Sequence, residues 1–100
     1  MSVAEISVVP IGTSNTSVSR FVVEAVRVLH EEANVKYELT AMGTIIEGDT
    51  GSILNLAGRM HESAFKLGAK RVVTTIKIDD RRDKPLTISG KIDSVKKKLR

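Results

Sequence analysis

The chain has 100 residues, of which 41% are hydrophobic and only three are aromatic, so it encodes one small domain with an aliphatic core. Its net charge of +4 comes from the C-terminal segment, because Lys96–Lys98 and Arg100 supply four of the sixteen basic residues and the other twelve balance twelve acidic ones. The sequence lacks the basic face and the aromatic platforms that nucleic-acid binding requires, and we predict no nucleic-acid partner.

The absence of cysteine excludes disulfides, thiolate catalysis and zinc–thiolate sites. The first ten residues contain no basic segment and carry Glu5 among apolar residues, so no signal peptide is predicted. No apolar run approaches the roughly 18 residues that a membrane-spanning helix needs. We therefore expect a cytoplasmic protein without a membrane partner.

The first third of the chain is typical of a strand followed by a helix. Residues 3–11 alternate in polarity, which predicts a half-buried strand. The small polar residues at 13–17 predict a loop, with Ser17 as the cap of the following helix. Apolar side chains recur at helical spacing after this loop, so the helix is expected to run to about Ala33.

The segment 36–48 is typical of a β-hairpin, because two short strand-like runs flank a three-residue turn that ends in glycine. If Thr40 pairs with Thr44 across this bulged turn, Tyr37 lies opposite Glu47. This register decides which hairpin residues face the helices.

A second helix follows the hairpin, capped by Asp49 or Thr50 and stopped by Gly68. Residues 71–78 alternate again and predict a fourth strand, after which a charged turn leads to a C-terminal amphipathic helix. The order β-α-β-β-α-β, with right-handed crossovers, predicts one ferredoxin-like α+β domain over residues 1–100. Two helices are expected to cover one face of its four-stranded antiparallel sheet.

The sheet face that these two helices leave uncovered indicates whether the protein contacts a second subunit or solvent there. With Ile6, Leu39 and Ile45 facing the helices, alternation assigns to this open face a set that is half apolar and rich in threonine: Glu5, Ser7, Val9, Glu38, Thr40, Thr44, Ile46, Arg71, Val73, Thr75 and Lys77. Such a face suits contact with a second subunit, with polar pockets inside the interface. A solvated threonine-rich sheet is the alternative.

The charged run Asp79–Asp83 alternates in sign just after the fourth strand. Because solvated charge pairs contribute little one at a time, we favour a network that locks the C-terminal helix or a subunit contact. A polar rim around a ligand site is the alternative.

The sequence contains no recognisable catalytic arrangement. Both histidines are expected on helices, where a favourable contact with the helix end explains His30 and partial burial explains His61. The serines and glycines match no nucleophile elbow or phosphate-binding loop, and no spacing of histidines or carboxylates suits a metal ion. We therefore predict a protein that is not an enzyme and has no metal or cofactor.

Five strings of the sequence resemble the thiamine-binding protein family of the YkoF type: VVPIGT at 8–13, SVSRFV at 17–22, AMGTIIEGD at 41–49, RVVTTIKIDDRRDK at 71–84 and the final KIDSVKKKL. MGTIIEGD and IKIDDRRDK are the most specific, and the strings occur in family order over essentially the whole chain. The resemblance implies a ferredoxin-like fold, assembly into dimers or tetramers, and binding of thiamine or its hydroxymethylpyrimidine moiety as a ligand. It implies no catalytic activity.

Thiamine joins an aminopyrimidine to a cationic thiazolium, and side chains near the hairpin and the first loop suit such a ligand. Glu47 would accept a hydrogen bond or balance the cation, Tyr37 would stack on it, and Met42 would form a deformable wall. Hydroxyls that donate and accept would come from the loop and the hairpin: Thr13, Ser17, Ser19, Thr40 and Thr44. Each residue has an alternative role as a cap, turn or sheet residue. The alternative function is a regulatory or scaffold module that binds another protein or a small anion through the open sheet face.

Overall fold

The computed structural model describes residues 1–32 and 34–99. Its elements, in chain order, are β1 (Ser2–Pro10), α1 (Ser19–His30), β2 (Lys36–Leu39), β3 (Thr44–Gly48), α2 (Thr50–Lys66), β4 (Val72–Asp80) and α3 (Ile88–Lys98). The strands form an antiparallel sheet in the order β2-β3-β1-β4. A βαββαβ chain with two right-handed crossovers arranges its strands in this order, so the predicted ferredoxin-like α+β fold is confirmed.

The helices α1 and α2 pack on one face of the sheet and enclose an aliphatic core. The buried members of this core come from β1, β3 and both helices: Ala4, Ile6, Ala25, Leu29, Ile46, Ile53, Leu56, Ala57 and Met60. Full burial of one leucine or isoleucine side chain stabilises a fold by about 1.5–3 kcal/mol. This layer therefore fixes α1 against β1 and the hairpin, where the candidate site lies.

The C-terminal helix α3 packs on the opposite, open face of the sheet. Leu86 and Ile88 are buried against Val3, and Ile45 packs against the same small cluster. The Ile88 N–H also donates to the Glu47 carboxylate at 2.7 Å. The open face is therefore partly covered at the end where β1 begins.

The hairpin is tighter than the sequence indicates. The Thr40 N–H donates to the Gly43 carbonyl oxygen at 2.9 Å, which leaves a two-residue connection in place of the predicted three-residue bulged turn. Tyr37 consequently lies opposite Ile46, and the predicted pairing of Tyr37 with Glu47 is wrong.

This one-residue shift exchanges the two faces of β3, because successive strand residues point to opposite sides of the sheet. Thr44 and Ile46 are 3% and 0% exposed on the helix face. Ile45 lies on the open face, and these three positions are the reverse of the prediction. Seven other residues lie on the open face as predicted: Glu5, Ser7, Val9, Glu38, Val73, Thr75 and Lys77.

The ends of α1 also differ from the prediction. Its N-cap is Val18, which makes no side-chain cap, so the assignment of Ser17 as the cap is wrong. The Ser17 N–H instead donates to the side-chain oxygen of Asn15 at 2.9 Å, which closes the loop before the helix. The helix ends at His30, and its predicted end, Ala33, lies outside the described residues.

The boundaries of α2 agree with the sequence. Asp49 is the N-cap and accepts a hydrogen bond from the Ser52 N–H at 3.2 Å. Gly68 follows the helix with a φ of 98°, a conformation that glycine adopts without the strain that a Cβ would cause.

Candidate functional site

Two cavities adjoin the first turn of α1, and each contains part of the predicted site. The first, which we name the loop cavity, has a volume of about 620 Å³ and is lined by residues 11–15, 17, 19–21 and 67–70. Its charged lining residues are Arg20 and Lys70, and no acidic side chain is among the described residues that line it. Three predicted ligand residues lie here: Thr13, Ser17 and Ser19.

The hydroxyl groups of the loop cavity are partly used within the loop itself. Thr13 Oγ1 donates to the Asn15 carbonyl oxygen at 2.8 Å, and the hydroxyl oxygens of Ser17 and Ser19 lie 3.3 Å apart. The cavity therefore combines hydroxyls with two cationic side chains. Such a lining attracts an anion and repels a cation such as thiazolium.

The second cavity, which we name the hairpin cavity, lies between the hairpin turn, α1 and the end of β1 and has a volume of about 260 Å³. It contains three predicted ligand residues, Thr40, Met42 and Thr44, and Ser7 is also among its lining residues. The other lining residues are small or apolar: Ile6, Val8, Val9, Val18, Val22, Ala25, Val26, Leu39, Ala41, Gly43 and Met60. Pockets for drug-sized ligands measure roughly 300–1,000 Å³, so this cavity suits a single ring.

The strand β1 extends beyond Thr44, the first residue of β3, and thereby presents main-chain groups to the hairpin cavity. Because Thr40 and Gly43 are hydrogen-bonded across the hairpin, Thr44 directs its own N–H and C=O toward β1. Thr44 lies opposite Ile6, where the β1–β3 ladder ends. The next residue on that side of β1 is Val8, which no β3 residue opposes. Val8 therefore directs an N–H donor and a C=O acceptor into the cavity.

The hairpin turn is held close to β1 by Gly43. A Cβ atom at this position would lie 3.1 Å from the Ile6 carbonyl oxygen, so a larger residue would push the turn away. Thr40 Oγ1 donates to the Gly43 carbonyl oxygen at 2.7 Å and stabilises the turn. Met42 at the tip is 84% exposed, so its flexible side chain forms an adaptable rim.

Tyr37 and Glu47 lie outside both cavities. The Tyr37 hydroxyl is hydrogen-bonded to His30 Nδ1 at 3.1 Å. Glu47 is 9% exposed and accepts the Ile88 N–H on the opposite face of the sheet. The structure does not bring these two side chains together with the predicted hydroxyls, and their assignment as ligand residues stays a prediction.

Sequence reasoning missed the Val8 main chain and the side chains of α1 that wall the hairpin cavity: Val18, Val22, Ala25 and Val26. Their helical spacing indicates core packing, and a cavity wall has the same spacing as a core stripe. The signal for Val8 is that β3 begins only at Thr44, opposite Ile6, and this is known only once the hairpin register is known.

The histidines have partners within the fold. His61 Nδ1 lies 2.6 Å from Thr74 Oγ1, and its ring contacts the Phe65 ring edge-on with centroids 5.3 Å apart. Across residues 1–32 and 34–99, no group of three histidine, aspartate or glutamate side chains is placed to hold a metal ion. Within the same ranges, no helix has the length and apolar character needed to cross a membrane.

The charged run Asp79–Asp83, which begins with the last two residues of β4, forms local ion pairs and one contact with α3. Arg82 Nη2 lies 2.9 Å from Asp80, and this hydrogen bond holds the pKa of the Asp80 carboxyl below its usual value. Lys91 of α3 pairs with Asp79 at 2.5 Å. The run thus ties β4 to α3, which agrees with the network interpretation.

A third cavity, of about 570 Å³, lies on the open face between the sheet and α3. Its lining is largely apolar and carries charges of both signs: Glu5, Glu38, Lys77, Asp79 and Lys91. This is the surface of the predicted alternative module, and its mixed charge favours neither an anion nor a cation.

Comparison with known proteins identifies the family. The UPF0045 protein YqgV of Bacillus subtilis is 42% identical, covering 99% of this chain and 98% of its own. The solved structure of the hypothetical protein MJ1052 from Methanocaldococcus jannaschii superposes with a TM-score of 0.87 at 38% identity over 94% of each chain. A Thermotoga maritima protein, proposed to act in thiamine biosynthesis or salvage, shares the fold with a TM-score of 0.76 at 22% identity, over 94% of this chain and 97% of its own. The family model described as thiamine-binding protein matches residues 4–96, and the chain therefore belongs to the thiamine-binding protein family.

Proposed function

We propose that this protein binds thiamine or its hydroxymethylpyrimidine moiety without catalytic turnover, and that the aminopyrimidine ring enters the hairpin cavity. Membership of the thiamine-binding protein family supports the ligand class. The observation that carries the placement is the unopposed main chain of Val8 in an aliphatic cavity of single-ring size.

The aminopyrimidine ring matches the groups that Val8 presents. An exocyclic amino group donates and the neighbouring ring nitrogen accepts. The C=O and N–H of one residue in an extended strand point to the same side and supply the complementary acceptor and donor. The aliphatic walls exclude water, which strengthens these bonds. The Thr44 side chain, 3% exposed, lines the same cavity and adds a hydroxyl partner.

The remainder of thiamine extends beyond the hairpin cavity. We place its hydroxyethyl end toward the loop cavity, which adjoins the same turn of α1 and carries the predicted hydroxyls of Thr13, Ser17 and Ser19. Arg20 and Lys70 there favour a phosphate on that end of the ligand, because both donate charge-assisted hydrogen bonds to phosphate oxygens.

The proposal assigns no acid–base or nucleophilic step to the protein. His61 is bonded to Thr74 and packs on Phe65, and it lines neither of the two cavities. The side chains that line the hairpin cavity are hydroxylic or apolar. Their chemistry supports binding and release of an unchanged ligand.

We also propose that the protein self-associates, as its sequence resemblance implies. A domain of 100 residues has a thin margin of stability, which oligomerisation increases by mass action. The sheet leaves apolar side chains about half exposed: Val9, Val73 and Ile76. Burial of these side chains in a subunit contact would stabilise the fold.

Calorimetric titration with thiamine and with hydroxymethylpyrimidine tests the binding proposal. We expect dissociation constants in the micromolar range or tighter, equivalent to about −8 kcal/mol. Thr44→Val removes a hydroxyl at nearly constant shape and should weaken binding about two- to tenfold. Thr75→Val, on the open face, is the matched control and should bind like the wild type. No heat with either compound up to millimolar concentration would contradict the proposal.

A further inference from the structure

We propose that Met42 is an oxidation-sensitive switch: a peroxide converts its side chain to methionine sulfoxide, and the hairpin cavity then releases its pyrimidine. The inference rests on the proposed function, because it concerns the regulation of that same site. Met42 is the second residue of the two-residue connection between Thr40 and Gly43, and it lines the hairpin cavity. A chemical change at this one side chain therefore alters the wall of the site.

The three methionines of the chain differ in their accessibility to an oxidant. Met42 is 84% exposed, Met1 is 62% exposed and Met60 is 1% exposed. Met42 and Met60 both line the hairpin cavity, so the same site holds one accessible thioether and one buried thioether. The chain has no cysteine that would compete for the oxidant. Because oxidation of a sulfur side chain follows its exposure, Met42 is the group of this cavity at which a peroxide reacts.

The main chain around Met42 is fixed although its side chain is exposed. The Met42 N–H donates to Thr40 Oγ1 at 3.4 Å, and Thr40 Oγ1 donates to the Gly43 carbonyl oxygen. Gly43 in turn lies close to the Ile6 carbonyl oxygen, which holds the turn against β1. Oxidation of so exposed a side chain removes little packing from the protein without ligand. The modification therefore acts on the bound state, in which a ring covers the side chain.

The reaction transfers one oxygen atom from the peroxide to the thioether. The Met42 sulfur attacks a peroxide oxygen, so that an S–O bond forms while the O–O bond breaks. The transferred oxygen gives its proton to the departing hydroxide, which leaves as water, and the sulfur is oxidised while the peroxide is reduced. A methionine sulfoxide reductase reverses the change with thiols, which are oxidised to a disulfide as the oxygen leaves as water. The switch is therefore reversible.

The sulfoxide weakens binding because it places a polar oxygen against an apolar wall. The neighbouring lining residues Leu39, Ala41 and Val22 have no side-chain donor for it. The Thr40 hydroxyl, in the same turn, already donates to the Gly43 carbonyl oxygen. A ring that covers the oxidised side chain would therefore strip water from the sulfoxide oxygen without replacing its hydrogen bonds. The affinity for hydroxymethylpyrimidine should fall about tenfold or more, a larger loss than removal of the side chain causes.

Binding and oxidation oppose each other at this residue. A bound ring covers Met42, so saturating hydroxymethylpyrimidine should slow the oxidation of Met42 severalfold. Met1 lines neither the hairpin cavity nor the loop cavity, and its oxidation should continue at an unchanged rate. Protection of Met42 alone distinguishes a switch at the site from incidental oxidation of the surface.

Peroxide treatment followed by calorimetry tests the proposal. Wild-type protein is exposed to dilute hydrogen peroxide until peptide mass spectrometry shows one added oxygen on Met42, and it is titrated with hydroxymethylpyrimidine before and after treatment. We expect the affinity to fall about tenfold or more and to recover after incubation with methionine sulfoxide reductase and a thiol. Thermal unfolding should show that the oxidised protein keeps its fold.

Met42→Leu is the matched control, because leucine has a similar volume and cannot be oxidised. This variant retains Met1 and Met60, so the same peroxide treatment should leave the variant's own affinity for hydroxymethylpyrimidine unchanged. A loss as large as that of the wild type would assign the effect to another residue and overturn the inference.

Two further results would overturn the inference while the binding proposal stands. One is an oxidised Met42 protein that binds hydroxymethylpyrimidine as tightly as the untreated protein does. The other is oxidation of Met42 at the same rate with and without saturating ligand. Untreated wild type that binds no pyrimidine would instead contradict the binding proposal, and the inference would fail with it.

Discussion

The hairpin cavity and the loop cavity adjoin the same turn of α1 but differ in chemistry. The hairpin cavity has a volume of about 260 Å³, aliphatic walls and no charged lining residue, and its hydrogen-bonding groups include the main chain of Val8. The loop cavity has a volume of about 620 Å³ and a polar lining with Arg20 and Lys70. The difference teaches that one turn of α1 can border two kinds of binding surface, one that selects a ligand by shape and main-chain hydrogen bonds and one that selects it by charge.

The largest expected effect is the loss of ring binding when the hairpin cavity is filled. Val22→Phe places an aromatic side chain in a cavity of about 260 Å³, so the affinity for hydroxymethylpyrimidine should fall roughly 100-fold or more. Val23 is the next residue of α1, is 51% exposed and lies outside the cavity, so Val23→Phe is the matched control. Calorimetry, with thermal unfolding to verify the fold, measures both. Equal binding by the two variants would show that the pyrimidine ring does not bind in the hairpin cavity.

The next largest effect distinguishes recognition of the phosphate-bearing end of the ligand from recognition of its pyrimidine ring. Arg20→Ala combined with Lys70→Ala removes the two cations of the loop cavity, so the affinity for thiamine pyrophosphate should fall about tenfold. The affinity for thiamine should not fall, because the two cations repel its thiazolium. Arg59→Ala is the control, because Arg59 pairs with Glu32 outside both cavities. The comparison fails if both ligands weaken to the same extent.

A smaller effect is expected at the rim of the hairpin cavity. Met42 is 84% exposed, so Met42→Ala should change the free energy of unfolding by less than about 0.5 kcal/mol. The side chain becomes covered only when a ring lies under it, and its loss should weaken pyrimidine binding about three- to fivefold. Titration and chemical denaturation together measure the two effects. An unchanged affinity would show that the ring does not reach the turn.

The smallest effect on affinity is expected at Glu47. Its carboxylate accepts the Ile88 N–H on the face away from both cavities, so Glu47→Gln should leave thiamine affinity within about twofold. The same change weakens a charge-assisted bond and should lower the free energy of unfolding by about 1 kcal/mol. Glu38→Gln, at an exposed position of β2, is the control. A large loss of thiamine affinity would instead show that Glu47 contacts the ligand, as the sequence predicts.

The sequence predicts the elements and their order because each helix and strand carries its own period of apolar residues. The strand register is harder to obtain, because it depends on whether two or three residues connect β2 to β3. The predicted three-residue turn shifts β3 by one position and reverses the faces of Ile45 and Ile46. A slip of one residue changes every side-chain assignment along a strand, so this single turn explains the errors in the hairpin.

The candidate site depends on that same register. Thr40, Met42 and Thr44 were predicted as ligand residues and line one cavity, because they are near neighbours in the chain. The contribution of Val8 is a property of its main chain and arises because β3 begins at Thr44, opposite Ile6, so that no β3 residue faces Val8. A pattern of side chains carries no information about such an unopposed peptide group, so it could not be predicted from the sequence.

The most direct test of the central claim is a titration of ¹⁵N-labelled protein with hydroxymethylpyrimidine, followed by the chemical shift of each backbone amide. We predict that the Val8 amide signal moves most, because its N–H would donate to the ring nitrogen, and that Val22 and Thr44 move with it. Largest shifts at residues 12–19 of the loop cavity or on the open face, with Val8 unmoved, would contradict the account.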